Sequence, residues 1–339
     1  MTSTPIWLTE QDVVELIQLP DAITALEHSL AAESAGQAGN MSKTMLQYGK
    51  SNLHALGGQL GSLVGTKSWT HAEAGTCPLL MLWDAYDGQL AAVIEAFALG
   101  NMRTGGTSGL AAKWMSSPDA SVMAIIGCGK QALSQVASVV AVRPIAELRV
   151  FSRSADTREA FAAKVQRELG IRAVPAASVE AAADGADVVT LATRATEPVM
   201  YGRFLKPGAH VNAIGAIGLD REEFAQDLFD RAGAVCVDYL DGVKKQSREF
   251  TRRFADDSWD RVQTLGSVIA AGHCVWQPTR ISIFKAMGMG LSDVALGAAL
   301  VDRARRAGVG RPIEPPKKAA IRFRQGSGQT AYGAASSVT

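Results

Sequence analysis

The chain has 339 residues, 47% hydrophobic and 20% charged, which is more length than one ordinary core takes up and too little charge for a disordered chain. Its 34 Lys and Arg against 33 Asp and Glu leave a formal net charge of +1, so a general nucleic-acid binder is disfavoured while a local cluster of cations around a small anion is not. No apolar run approaches the ~18–20 residues of a membrane span, the first residues carry no secretory pattern, and the expected location is cytoplasmic.

Apolar residues at three- and four-residue spacing predict helices over 11–19 and 21–32, with Pro20 between them. The texture then becomes strand-like, with strands predicted over 62–69, 78–83 and 89–94, the last two joined by the turn signal Asp87-Gly88. This first region reads as helices packed on an antiparallel sheet. From 121 onward strands alternate with helices: strands over 121–126, 148–152, 172–176, 187–192, 210–214 and 234–237, helices over 131–141 and 156–169. Such alternation implies an α/β fold with a mostly parallel sheet covered on both faces. A last strand is expected over 280–284, then an alanine-rich helix over 293–307, capped by Ser292 and stopped by Gly308. Residues after Pro312 read as an arm or a poorly ordered tail. Four scattered cysteines (Cys77, Cys128, Cys236, Cys274) form no C-x-x-C pair, so no metal site is expected and the thiols read as reduced and mostly buried.

Gly127-Cys128-Gly129-Lys130-Gln131-Ala132 is a G-x-G-x-x-A turn between a predicted strand and a predicted helix. Gly127 permits the tight turn, Gly129 lets backbone approach a pyrophosphate, and Ala132 allows close helix–strand packing, with the phosphates at the helix N-terminus. A dinucleotide is the expected cofactor, held by Gly127, Gly129, Lys130 and Gln131 and completed by Thr193 and Ile214 at later strand ends. An NAD-preferring site places Asp or Glu at the end of the second strand. Here that position reads Phe151-Ser152-Arg153-Ser154. Hydroxyls and a guanidinium there suit a 2′-phosphate, so NADP(H) is expected over NAD(H), with Ser152, Arg153 and Ser154 as its ligands.

With these pieces placed, the chain resembles the ornithine cyclodeaminase/mu-crystallin family from about Ile17 to Pro312. The carrying segments are Gly65-Thr66-Lys67, Asn101-Met102-Arg103-Thr104-Gly105-Gly106-Thr107, the Gly127 turn with Gln131, His210-Val211-Asn212-Ala213-Ile214-Gly215, and Phe284-Lys285-Ala286-Met287-Gly288 followed by Asp293. The resemblance implies a homodimer. It also implies a Rossmann-type doubly wound domain (118–294) inserted in an α+β substrate-binding and dimerisation domain made of 1–117 and 295–339. It maps the contacts of a substrate carboxylate onto Lys43, Lys67 and Arg103. The planar guanidinium of Arg103 suits bidentate capture, and a lysine at position 43 loses the fork that an arginine would offer.

Two departures bear on the reaction. Where cyclodeaminases of the family carry a G-x-D aspartate, this chain has Gly215-Ala216-Ile217, and an apolar side chain at the substrate site takes no proton. Asp220, three residues on, reads as the cap of a helix beginning at Arg221. His54 stands where cyclodeaminases carry a glutamate and is a candidate for proton exchange near neutral pH, with Lys67 as the other. His71 is a further pocket candidate, His210 reads as structural, and His28 and His273 have no partners in sequence. The resulting expectation is an NADP(H)-dependent reductase of imines: 2-imino acids, cyclic ketimines, or keto acids undergoing reductive amination. The alternatives are a cyclodeaminase-type lyase using bound NAD and a mu-crystallin-like ligand-binding protein.

Overall fold

The computed structural model describes residues 4–254 and 258–321. Strand β1 (Ile6–Leu8) leads into α1 (Glu10–Leu16), where Thr9 and Asp12 form a reciprocal capping box. Pro20 lies in the first turn of α2 (Leu19–Ser34), where a missing N–H costs nothing, so it opens the second helix instead of separating two. Next come β2 (Ala38–Tyr48), β3 (Ser51–Leu60), β4 (Leu63–Ala72), β5 (Gly75–Thr76), β6 (Leu79–Asp84) and β7 (Leu90–Glu95). The β6–β7 hairpin is the one that Asp87-Gly88 predicts. Strand β1 and the β2–β3 hairpin go beyond the expected strands, because β2 mixes exposed Met45, Leu46 and Tyr48 with polar residues and lacks a half-buried alternation.

Helix α3 (Phe97–Met115) is also absent from the sequence expectations, since Gly105, Gly106 and Gly109 look like helix breakers. In the fold they are contact points. A Cβ at Gly105 or Gly109 would stand 2.6 or 2.5 Å from the backbone oxygens of Ser134 and Ser138, and one at Gly106 would meet Leu26. The R-T-G-G segment therefore lets α3 lie directly on the helix that follows the Gly127 turn, α4 (Ala132–Val140).

The second sheet uses β8 (Val122–Ile126), β9 (Glu147–Phe151), β10 (Arg172–Pro175), β11 (Val188–Leu191), β12 (His210–Ala213), β13 (Ala232–Val237), β14 (Gln263–Thr264) and β15 (Ile281–Lys285). Between them run α5 (Ala155–Leu169), α6 (Val179–Ala183), α7 (Asp227–Arg231), α8 (Leu240–Gln246), α9 (Arg248–Arg253) and α10 (Leu265–Ala271). All its pairings are parallel, in the order β10-β9-β8-β11-β12-β15-β13-β14, so the order reverses between β8 and β11 and opens a crevice at their carboxyl ends. This is the expected doubly wound α/β sheet. The chain closes with α11 (Gly290–Ala307) and β16 (Arg311–Pro312), which returns to β1, giving a first sheet ordered β16-β1-β7-β6-β4-β3-β2.

Three sequence expectations are corrected here. Helix α11 starts at Gly290 rather than after Ser292, which sits buried inside it; the cap position is Met289. No helix begins at Arg221: α7 starts at Asp227, and Asp220 is an exposed side chain 3.7 Å from the Arg221 guanidinium. The cysteines are free, but only Cys236 is buried, with Cys77 and Cys274 exposed. His210 is structural as read, fully buried against Ser282 and Asn212. No helix among the described residues is long and apolar enough to cross a membrane. The tail beyond 321 lies outside the described residues.

Candidate active site

A cavity of about 810 Å³ fills the crevice between β8 and β11. Its floor is the Gly127 turn: Gly127 has φ +104°, and a Cβ there would stand 2.5 Å from the Ala192 oxygen, so only glycine fits. Gly129 faces open space, as a backbone approached by a ligand must. Gly127, Gly129, Lys130, Gln131, Ser152, Arg153, Thr193, Ile214 and Ile217 all line this one cavity. Ser154 does not; its hydroxyl accepts from Thr157 N and caps α5. Lys130, Arg153, Arg194 and Arg221 stand in the lining against Glu197, a cationic balance suited to a phosphate-rich occupant. The size, the glycine turn before the helix N-terminus and these cations fit a dinucleotide.

The far wall of the cavity is held by a buried carboxylate that sequence reasoning passed over. Glu223 accepts from Thr193 N (2.7 Å), Thr193 Oγ1 (2.8 Å), Gly215 N (2.7 Å) and Ala216 N (3.0 Å), tying the loops after β11 and β12 together. The buried Lys285 ammonium donates to the Ala216 oxygen and to Glu249 beneath them.

Beside this crevice lies a cluster of cations from the first sheet and α3. Lys67 on β4 is 4% exposed, and its Nζ is ion-paired with Asp293 Oδ1. Glycines explain how Asp293 reaches it. Gly290 and Gly57 touch so closely that a Cβ on Gly290 would stand 2.2 Å from the Gly57 backbone, which lays the start of α11 on β3. Burial pushes the Lys67 ammonium down to about 8, with Arg103 and Lys43 adding to the push and Asp293 opposing it. Arg103 on α3 brings its Nε 3.4 Å from the same Asp293 oxygen, yet that buried nitrogen has no hydrogen-bond partner, nor has Asp293 Oδ2.

Lys43 arrives by a different device. The β2–β3 register shifts between Met41 and Thr44, so Ser42 and Lys43 form a bulge that re-aims the side chain. Its ammonium lies 5.8 Å over the Trp69 ring, whose centroid is also 5.2 Å from Lys67 Nζ. Burial, then Arg103, lowers the affinity of Lys43 for its proton. His54 stacks on Trp69 at 4.8 Å and 18°, with a buried Nδ1 that has no partner. Burial first, then Lys43 and His71, hold its imidazole below the ordinary histidine range, so it is neutral at pH 7. His71, two residues beyond Trp69 on β4, is exposed. Cluster and cavity are linked by Gln131 of the turn, which donates to Asn101 on α3 at 2.9 Å, two residues from Arg103.

Lys43, Lys67 and Arg103 are thus brought together, with His54 alongside, while Ile217 stands at the coenzyme cavity. Asp293, the carboxylate between Lys67 and Arg103, has no role in the sequence reading. Its signal there is a charged residue among Leu291, Val294, Ala295 and Leu296, in a stretch that is buried all round.

Residues 4–308 match the ornithine cyclodeaminase/mu-crystallin family. The chain belongs to this family. Among family relatives, it is 31% identical to the ketimine reductase mu-crystallin of Mus musculus over 66% of this chain and 68% of that one. It is 28% identical to a Delta(1)-pyrroline-2-carboxylate reductase of Bacillus cereus over 70% of this chain and 74% of that one. A solved archaeal alanine dehydrogenase dimer with bound NAD superposes with a TM-score of 0.84 at 27% identity, covering 92% of this chain and 99% of its own.

Proposed function

We propose that this chain is an NADP(H)-dependent reductase of imines that carry a carboxylate, 2-imino acids or cyclic ketimines, including those formed from keto acids and amines, and that it yields amino acids. The observation that carries this reading is the convergence of Lys43, Lys67 and Arg103 around Asp293, beside a crevice built for a dinucleotide. When bound, the coenzyme supplies the hydride that reduces the C=N carbon. Gly127, Gly129, Lys130, Gln131, Thr193 and Ile214 would hold it, with Ser152 and Arg153 at the 2′-phosphate and Ser154, whose oxygen caps α5 while its O–H is left to donate, next to them.

The protein's own part is grip and proton supply. Arg103 and Lys43 hold the substrate carboxylate and exclude water from it. Lys67, with a pKa of about 8, is protonated at neutral pH yet gives its proton up readily, as an acid for the imine nitrogen must. Asp293 keeps the ammonium aimed. His54, neutral and stacked on Trp69, relays protons but is the poorer reservoir. The apolar Ile217 and the outward Asp220 leave the carboxylate of a cyclodeaminase without an equivalent, which favours net reduction.

The reading includes a cytoplasmic homodimer. Exposed Met45, Leu46 and Tyr48 on the edge strand β2, and the dimer form of the archaeal relative, support the homodimer. The two lobes then divide at 117/118, and the return crossing sits at 286–289, ahead of α11, rather than at 294/295 inside that helix. An NADPH-depletion screen over keto acids with ammonia or methylamine, and over preformed cyclic imines, tests the function. Turnover with a carboxylate-bearing imine is expected. Ammonia released from ornithine without coenzyme consumption would replace this reading with a lyase.

A further inference from the structure

Two contacts reach the supports of the cation cluster, and both start at the dipeptide following β13. Asp238 is 3% exposed and sends its carboxylate across to the segment after β15. It accepts from Met287 N at 2.9 Å and Gly288 N at 2.7 Å, besides Tyr239 N at 2.7 Å. The turn it fixes is the surface on which Arg103 rests. Gly288 has φ +81°, and a Cβ there would stand 2.8 Å from Arg103 Nη1. A shift of this turn would change the surface beneath the guanidinium.

The neighbouring Tyr239 reaches the other side of the cluster. Its hydroxyl is 3.0 Å from Ser42 Oγ, and Ser42 is half of the bulge that aims Lys43. Room for the ring comes from Gly242, where a Cβ would stand 2.8 Å from Tyr239 Cδ1. One dipeptide thus touches the supports of both carboxylate-gripping residues, and it does so from the sheet that carries the coenzyme crevice.

We infer that Asp238 and Tyr239 are positioning residues for the substrate's anion site, Asp238 seating Arg103 through the Met287–Gly288 turn and Tyr239 seating Lys43 through the Ser42 bulge. The inference rests on the reading of Arg103 and Lys43 as carboxylate ligands. Its consequence is that the grip on the substrate is assembled only when the coenzyme sheet and the β2 bulge are in contact.

The test compares two dissociation constants and one KM on the full chain: NADPH by coenzyme fluorescence, benzoate on the NADPH complex by calorimetry, and KM for 1-pyrroline-2-carboxylate. Benzoate reads the anion site without turnover. Tyr239→Phe, which keeps the ring, is expected to weaken benzoate and raise KM about five-fold, the loss of one neutral hydrogen bond. Ser42→Ala should do the same, and the double variant no more than either single. Asp238→Asn should cost about tenfold or more through the displaced turn. NADPH affinity should stay unchanged in all of them, whereas simple structural damage would weaken it in parallel. The inference is overturned if Tyr239→Phe binds benzoate as the unmodified protein does, or if the Ser42 and Tyr239 effects add. Arg103→Ala separates the two levels: unaltered benzoate binding there removes the anion-site reading itself.

Discussion

The coenzyme crevice and the cation cluster stand side by side and are built in opposite ways. The crevice is made of short loops that follow strands of one parallel sheet, and its shape is set by backbone: the Gly127 turn, the Ser152–Arg153 corner, the loop from Thr193 and the Ile214–Ile217 segment after β12. The cluster takes single side chains from β2, β4, α3 and α11, and its key atoms are charges held at the ends of long chains. A backbone site tolerates most side-chain changes that leave its glycines alone. A site of converging charges depends on each partner: losing the carboxylate leaves three cations uncompensated, and losing a cation removes a proposed ligand of the substrate's anion. Substitutions in the cluster should therefore outweigh those at the crevice rim.

The largest effect is expected at Lys67. Replacement by methionine keeps the length of the stem but removes the acid, and kcat should fall about 10²–10⁴-fold, the range for a lost general acid. NADPH affinity, measured by fluorescence, should stay near that of the unmodified enzyme. Because burial brings the Lys67 ammonium down to about 8 and the proposed role needs its protonated form, log kcat/KM should be level below pH 8 and decline above it. A pH break at that position which persists in Lys67→Met would assign it to another group.

How much of each region could be read from sequence follows from the same contrast. The crevice was legible because its motif is contiguous: Gly127 to Ala132 between a strand and a helix specifies turn, approach and packing in six residues. Arg103 and Lys67 came with recognisable local segments. Asp293 did not gain a role, because only the contact of Gly290 with Gly57 brings it onto Lys67, and nothing local announces that contact. Helix α3 was missed for a related reason: its glycines serve a neighbour, α4, that lies later in the chain. Ser154 stands outside the crevice lining, its hydroxyl oxygen capping α5, a local use that the sequence reading did not weigh.

Next in size is Arg103→Ala. One charged contact of about 1.5–3 kcal/mol corresponds to roughly 10–150-fold in kcat/KM for a carboxylate-bearing imine, with most of the change in KM. Arg103→Lys should recover only part of the activity, since the ammonium lacks the planar fork. Equal turnover by Arg103→Ala and the unmodified enzyme would place the substrate's carboxylate elsewhere.

The smallest effect belongs to the crevice rim and sharpens the contrast most. Arg153 is exposed at the end of β9, so the proposed bond to a 2′-phosphate would form partly in water and be worth less than a buried pair. Arg153→Ala should lower kcat/KM with NADPH about tenfold while leaving NADH nearly unchanged. The ratio of the two coenzymes is the quantity to measure, because it cancels any general damage to the fold. Arg158, whose guanidinium bonds the Ser152 oxygen at 3.2 Å, stands close enough to hold that corner in shape when Arg153 is lost. A ratio already favouring NADH in the unmodified enzyme would mean that the cationic lining of the crevice serves the pyrophosphate alone.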